Sequence, residues 1–172
     1  MSALATESGT ESRTHTVGIG ECILSTHPRD VLVTYALGSC LGIAVYDPEV
    51  GVGGLLHAML PESRNDPERA KRNPYLFVDT GVAHLFRQCY AQGAVKERIV
   101  FMVAGGSAMM NVHEESLQIG KRNLAMLRKL LWFNGVMVRA SDTGGHHPRS
   151  MKLHMHDGSV YIREHNDWTR LG

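Results

Sequence analysis

The sequence predicts an α+β domain. Short β-branched runs crowd the first third of the chain, only two long helical periodicities follow, and an Asp-Gly pair late in the chain joins two alternating segments. This is not a regular βαβ repeat, so a doubly wound parallel sheet is not expected. The 172 residues, 43% apolar and 20% charged, suit one globular domain that buries about 70% of its unfolded surface.

Residues 1–12 are small, polar and aperiodic and read as a mobile tail, 13–166 as the single folded domain, and 167–172 as a C-terminal tail. Strands are expected over Thr16–Ile19, Cys22–Leu24, Val31–Ala36, Leu41–Tyr46 and Val52–Met59. The stretch from Pro61 to Pro74 carries three prolines and many charges, and reads as a long surface loop or lid. Its basic residues, Arg64, Arg69, Lys71 and Arg72, read as a solvated face.

Asp79 or Thr80 is the expected cap of a helix that presents Val82, Phe86, Cys89 and Tyr90 at helical spacing and stops at Gly93. A strand over Arg98–Ala104 runs into Gly105-Gly106-Ser107. A second helix over Gln118–Phe133 carries Leu124, Leu127, Leu130 and Leu131 inward, and Gly135 ends it. Met151, Leu153 and Met155 alternate with Lys152, His154 and His156 before Asp157-Gly158 turns the chain, which marks a hairpin.

Composition excludes several functions. Eighteen basic against seventeen acidic residues leave a charge of +1, too little to neutralise the phosphates of a nucleic acid. No apolar run approaches the roughly 20 residues of a membrane helix, and the first residues have no export signature, so a cytoplasmic protein without membrane insertion is expected. Three cysteines without a C-x-x-C pair indicate neither a disulfide framework nor a zinc ribbon.

One cysteine stands in a distinctive setting. Gly38-Ser39-Cys40-Leu41-Gly42 follows a strand directly, and its small residues permit a sharp turn that aims backbone N–H groups outward, as an oxyanion hole requires. An unperturbed thiol is only a few per cent ionised at neutral pH, so a nucleophile needs a base. His57 supplies one if the strand over Gly53–Met59 pairs back on Leu41–Tyr46. A third group must hold the imidazole by its other nitrogen, and Thr34 in the preceding strand has the hydroxyl or carbonyl to do so.

The strings Thr34-Tyr-Ala-Leu-Gly-Ser-Cys40 and Gly53-Gly-Leu-Leu-His57-Ala-Met-Leu-Pro61 resemble the signature of the CheD family, chemoreceptor glutamine deamidases of bacterial chemotaxis. Gly105-Gly-Ser-Ala-Met109, Ile119-Gly-Lys-Arg-Asn123 and Asp142-Thr-Gly-Gly145 continue the resemblance in order, so that it spans about Val17 to Arg163. The resemblance implies packed β-sheets flanked by helices, an α-β-β-α layered sandwich. It implies a protein-glutamine glutaminase in which Cys40, His57 and Thr34 form a catalytic triad, with Gly38, Ser39 and Leu41 shaping the oxyanion loop. No cofactor or metal is implied. The implied partners are the cytoplasmic domain of methyl-accepting chemotaxis receptors and a CheC-type phosphatase.

Other readings have less support. Ser39 lacks a G-x-S-x-G frame, and Gly105-Gly106-Ser107 lacks the lysine and spacing of a phosphate loop, which leaves a tight turn. His154 and His156, with His146 and His147 in the preceding loop, have no carboxylate or cysteine at ligand spacing, so no metal site is expected. The alternative from another class is a non-catalytic chemotaxis adaptor that binds receptors or a CheC-type phosphatase.

Overall fold

The computed structural model describes residues 11–108 and 114–172. The first ten residues of the expected tail and Met109 of the glycine-rich motif lie outside the described residues. The strands are β1 Arg13–Thr16, β2 Cys22–Ser25, β3 Asp30–Leu37, β4 Leu41–Asp47, β5 Val52–Ala58, β6 Val100–Gly105, β7 Val138–Thr143, β8 Arg149–His154, β9 Val160–Arg163 and β10 Thr169–Leu171. The helices are α1 Pro67–Arg72, α2 Val78–Ala91 and α3 Glu114–Asn134. They build an α+β domain with two mixed five-stranded sheets, ordered β1-β3-β8-β9-β10 and β2-β5-β4-β6-β7.

The sheets pack face to face, and α2 and α3 cover the far side of the second. Every residue of β4 and β5 is buried, because these strands have a sheet on one face and helices on the other. Side-chain alternation sorts them into two cores. Leu41, Ile43 and Val45 join Val82, Leu85 and Leu127 from the helices. Ala44, Tyr46 and Leu55 meet Leu32, Met151 and Leu153 of the first sheet. Both long helices therefore lie on one side, and among the described residues the outer face of the first sheet has no long helix over it. The expected layering holds as two packed sheets with helices outside, and among the described residues the long helices form one layer, over the second sheet.

The hairpin at Asp157-Gly158 forms as expected, with Leu153 opposite Val160 and Gly158 at φ +75°. Gly135 follows α3 at φ +63°. Several local features depart from expectation. The strand expected over Thr16–Ile19 lies instead at Arg13–Thr16. Residues 169–171 are not tail but β10, paired antiparallel with β9. Val138–Thr143 is an edge strand that mixed polarity hid, paired parallel to β6. The 61–74 stretch holds a short helix, since Asp66 caps it by accepting from the Arg69 N–H and Pro67 occupies its first turn. Helix α2 begins at Val78 without a side-chain cap: the Asp79 carboxylate turns back to accept from the Ser63 N–H and hydroxyl, and the Thr80 hydroxyl donates to the Pro74 carbonyl.

The chain passes between the sheets four times, and the shortest of these crossings runs from the end of β3 to the start of β4. A bulge separates Thr34, opposite Met151, from Leu37, opposite Arg149, and Ala36 within it is held at φ +56°. That value is unfavourable for a residue with a Cβ, so the surrounding contacts must impose it. Gly105 packs against the segment that follows the bulge. At φ +105° it passes so close that a Cβ there would lie 2.1 Å from the Cys40 carbonyl oxygen. Gly105→Ala is therefore expected to lower stability by at least the roughly 1–3 kcal/mol of a disallowed backbone. A thermal melt should show a fall of about 2–4 °C per kcal/mol, whereas an unchanged melting temperature would show that the two segments do not touch.

Candidate active site

The crossing delivers Cys40 to the space between the sheets. All three carbonyls of the turn are held. The Ser107 N–H donates to Gly38 at 2.8 Å, the Asn123 side-chain amide to Ser39 at 2.9 Å, and the Gly106 N–H to Cys40 at 2.9 Å. Gly105-Gly106-Ser107 is thus a clamp on the cysteine turn rather than an anion cradle, because two of its N–H groups are already engaged.

With the carbonyls fixed inward, the N–H groups of the turn face elsewhere. The Gly38 N–H closes on the Ala36 carbonyl at 3.0 Å. Because Gly106 N–H bonds the Cys40 carbonyl, Leu41 and Gly105 form a non-hydrogen-bonded pair, and ladder alternation directs the Leu41 N–H to Ala58 instead. Ser39 and Cys40 differ. Among the described residues no oxygen accepts from either N–H, and the Cys40 N–H lies against its own sulfur.

His57 stands opposite Gly42 in the β4–β5 ladder. Its own N–H and carbonyl bond Glu21 and Gly20 on the other side, so Gly42 and His57 also form a non-hydrogen-bonded pair, the closer of the two kinds. Gly42 offers no side chain, and Cys40 two residues earlier shares the inter-sheet core with Leu55, the neighbour of His57 along the same face. Diagonal neighbours of this kind lie within reach of a ring-bearing side chain. The imidazole and the sulfur therefore occupy one face of one sheet.

Thr34 reaches the ring from the other sheet. Its Oγ1 is 2.7 Å from the Val17 carbonyl and 2.7 Å from His57 Nδ1. A hydroxyl has one hydrogen, and the carbonyl can only accept, so the hydroxyl donates to Val17 and accepts from Nδ1–H. That fixes the neutral tautomer with the proton on Nδ1 and leaves the Nε2 lone pair open. Nε2 is buried and has no partner among the described residues. The three side chains differ in access: Thr34 is 0% and His57 2% exposed, while Cys40 at 9% is at the boundary with solvent.

Burial sets the protonation states. It lowers the His57 imidazole to about 4. It raises the Cys40 thiol above its ordinary value, an effect the neighbouring Cys40 N–H partly offsets. Both shifts favour the uncharged forms, so thiol and imidazole are neutral at rest, and no hydrogen bond joins Cys40 Sγ to His57 Nε2. Cys22 and Cys89 are pushed up to about 12, by burial first, then by the nearness of the Cys89 sulfur to Cys22 and of the Asp47 carboxylate to Cys89. Cys89 packs in the helix-side core as expected.

Sequence reasoning missed Asn123. It is fully buried on α3, and its Nδ2 bridges the Ser39 carbonyl and, at 3.0 Å, the Met59 carbonyl just beyond His57. An asparagine beside Leu124 on the buried flank of an apolar helix was the available signal. The histidines considered as ligands do not converge: no group of three or more His, Cys, Asp or Glu is placed to hold a metal among the described residues.

The fold and the site define a class, an α+β domain with a thiol, a tautomer-fixed imidazole and two free backbone donors at one sheet-to-sheet crossing. A family model described as CheD chemotactic sensory transduction matches residues 59–164. The chain belongs to the CheD family. It is 42% identical over 90% of its length to a "Probable chemoreceptor glutamine deamidase CheD" of Solibacter usitatus, covering 91% of that protein. A relative named CheD 1 in Syntrophus aciditrophicus is 43% identical over 86% of this chain and 91% of its own. One from Pyrococcus horikoshii is 38% identical over 86% and 90%. A stretch covering 90% of the chain necessarily includes Thr34, Cys40 and His57. Among solved structures, the Bacillus licheniformis hypothetical protein YfiH is similar with a TM-score of 0.43 and 14% identity, over 81% of this chain and 61% of that one.

The protonation states give a direct expectation. Alkylation by iodoacetamide follows the thiolate fraction, so Cys40 labelling should keep rising as pH passes 9, with Cys22 and Cys89 nearly silent. Peptide mapping after timed labelling reads both, and a plateau below pH 7 would instead reveal a preformed ion pair.

Proposed function

We propose that this protein is a cysteine-dependent glutaminase that converts glutamine side chains in the cytoplasmic domain of chemotaxis receptors to glutamate, working in the cytoplasm. The observation that carries the mechanism is the Thr34 hydrogen-bond pair, because it leaves His57 Nε2 as a vacant base on the face that holds Cys40. The names of the relatives support the substrate class.

In the first half-reaction His57 Nε2 takes the Cys40 proton as the sulfur attacks the glutamine Cδ. Neither group ionises readily while buried, so transfer and attack occur together. Two charges then form at once, the oxyanion and the imidazolium. The Ser39 and Cys40 N–H groups meet the first, and the Thr34 oxygen, accepting from Nδ1–H, steadies the second. The imidazolium returns its proton to the departing nitrogen, which leaves as ammonia with a thioester on Cys40.

Water completes the cycle. His57 removes one proton as the oxygen attacks the thioester carbonyl, and that proton returns to sulfur as the C–S bond breaks. The products are a glutamate side chain and the regenerated thiol. No redox step occurs, and no cofactor enters the balance.

Mass spectrometry of receptor fragments incubated with the protein should show a gain of about one mass unit at particular glutamines, which is the amide-to-acid conversion expected of thioester hydrolysis. Cys40→Ala should abolish it without loss of fold. Normal conversion by that variant would overturn the proposal. Thr34→Val should be the milder lesion, because the ring survives but loses its fixed tautomer: kcat is expected to fall by about 10²-fold. Steady-state ammonia release measures this, and unchanged turnover would remove Thr34 from the machinery.

A further inference from the structure

The outer face of the first sheet carries alternating rings and cations. Leu32, Met151 and Leu153 point into the inter-sheet core, so Val33, Lys152 and the residues in register with them point outward. On that face the central carbon of the Arg163 guanidinium lies 6.0 Å from the centre of the Tyr35 ring and 4.8 Å from that of Trp168. Lys152 Nζ lies 4.4 Å from the centre of Trp168 and 5.4 Å from that of Tyr161. Arg170 stands opposite Tyr161. No outward strand position of this sheet holds a carboxylate.

The rings do not neutralise these cations. A ring face attracts a positive group without taking its charge or its hydrogens. Among the described residues neither the Lys152 nor the Arg163 side chain has an ion pair or an acceptor for its N–H groups. Two rings restrain each cation, so little side-chain freedom is left to lose when an anion arrives. A restrained guanidinium with its hydrogens unspent suits a carboxylate, which takes two of them at once.

The position of the row points to its occupant. Tyr35 follows Thr34 and opens the bulge that leads to Cys40, while Arg163 stands opposite Ser150, next to the Leu37–Arg149 pair. The row therefore starts at the end of the sheet from which the cysteine turn departs, and runs back over β8 and β9. A chain segment that delivers a glutamine to that turn has its flanking residues beside the row.

We propose that this face is a docking surface for the receptor segment around the target glutamine, and that it grips the segment by its carboxylates. This rests on the deamidase reading. Each turnover exchanges an amide for a carboxylate, so a segment with several target glutamines becomes more anionic as the reaction proceeds, and the cationic row is its complement. A nucleic acid is the other anionic polymer, and a chain charge of +1 argues against it.

The test uses the Cys40→Ala protein, which holds substrate without turning it over, and two forms of a receptor cytoplasmic fragment. One form keeps its target glutamines; the other has all but one replaced by glutamate. Calorimetry should show the glutamate form bound about 10-fold more tightly, and Lys152→Gln/Arg163→Gln should reduce that preference to less than about twofold. Arg128→Gln/Lys129→Gln removes the same charge from exposed positions on α3, beyond the second sheet, and should keep the full preference. With Cys40 restored, Lys152→Gln/Arg163→Gln should raise KM for the glutamate form about 10-fold at unchanged kcat.

Equal affinity for the two forms would overturn the proposal, as would a preference that survives loss of Lys152 and Arg163 or falls equally on loss of Arg128 and Lys129. A duplex oligonucleotide held through Lys152 and Arg163 more tightly than either fragment would overturn it too. The binding arm needs no turnover, so the expected binding without ammonia release by the unaltered protein would refute the deamidase reading and leave the docking surface standing.

Discussion

The carbonyls of Gly38, Ser39 and Cys40 are each held by a donor from outside the turn, and the site depends on this. A peptide unit has its N–H and C=O on opposite sides, so fixing three successive oxygens inward also fixes where the intervening N–H groups point. The donors come from the Gly106-Ser107 loop and from Asn123 on α3. The strained Ala36 bulge, the close pass of Gly105 and the tight seating of Gly120 are the local costs of bringing these segments together. Backbone strain of this kind persists only where neighbouring contacts over-determine it.

The second constraint is burial. It depresses His57 to about 4 and raises Cys40, which keeps both neutral. A deeply buried cysteine would be inert for that reason. The Thr34–Val17 pair changes the outcome by choosing the tautomer, because with Nδ1 protonated the only basic nitrogen is the one on the Cys40 face. A buried neutral base is strong at the moment when charge develops beside it, since fixed dipoles there need not reorient. In the mechanism proposed above, geometry rather than a standing thiolate supplies the reactivity.

Much of this was legible in the sequence. Thr34, Cys40 and His57 emerged from strand runs flanked by small residues, and the strands that carry them fall within a residue or two of the expected bounds, because β4 and β5 are continuous apolar runs whose burial on both faces leaves a strong signal. Strands β7 and β10 did not. Val138–Thr143 mixes polarity and Thr169–Leu171 is only three residues long, and both lie at sheet edges where one side of the strand needs no pattern. Leu41 entered the expected oxyanion loop on proximity alone; its N–H belongs to the ladder, and only the register reveals that. Asn123 offered only the signal of a polar residue at a buried helix position; its partners are backbone carbonyls distant in sequence, which leave no side-chain pattern to say what it holds.

Arg149 extends the same logic one layer outward. It is 4% exposed and donates to the Asp142 carboxylate and carbonyl, the Gly144 carbonyl and the Ser107 hydroxyl. Ser107 is the residue whose N–H holds Gly38. The two terminal nitrogens of Arg149 meet acceptors in a fixed fork, while Nε has no partner among the described residues, and that fork ties the β7–β8 loop and the Gly106-Ser107 loop into one geometry. The Asp142-Thr-Gly-Gly145 motif is then intelligible without any direct role in chemistry. Gly144 and Gly145, at φ +79° and +71°, let the loop turn its carbonyls toward the cation, and the cation in turn braces the clamp on the cysteine turn. Residues remote from the sulfur thereby bear on the direction of two N–H bonds beside it.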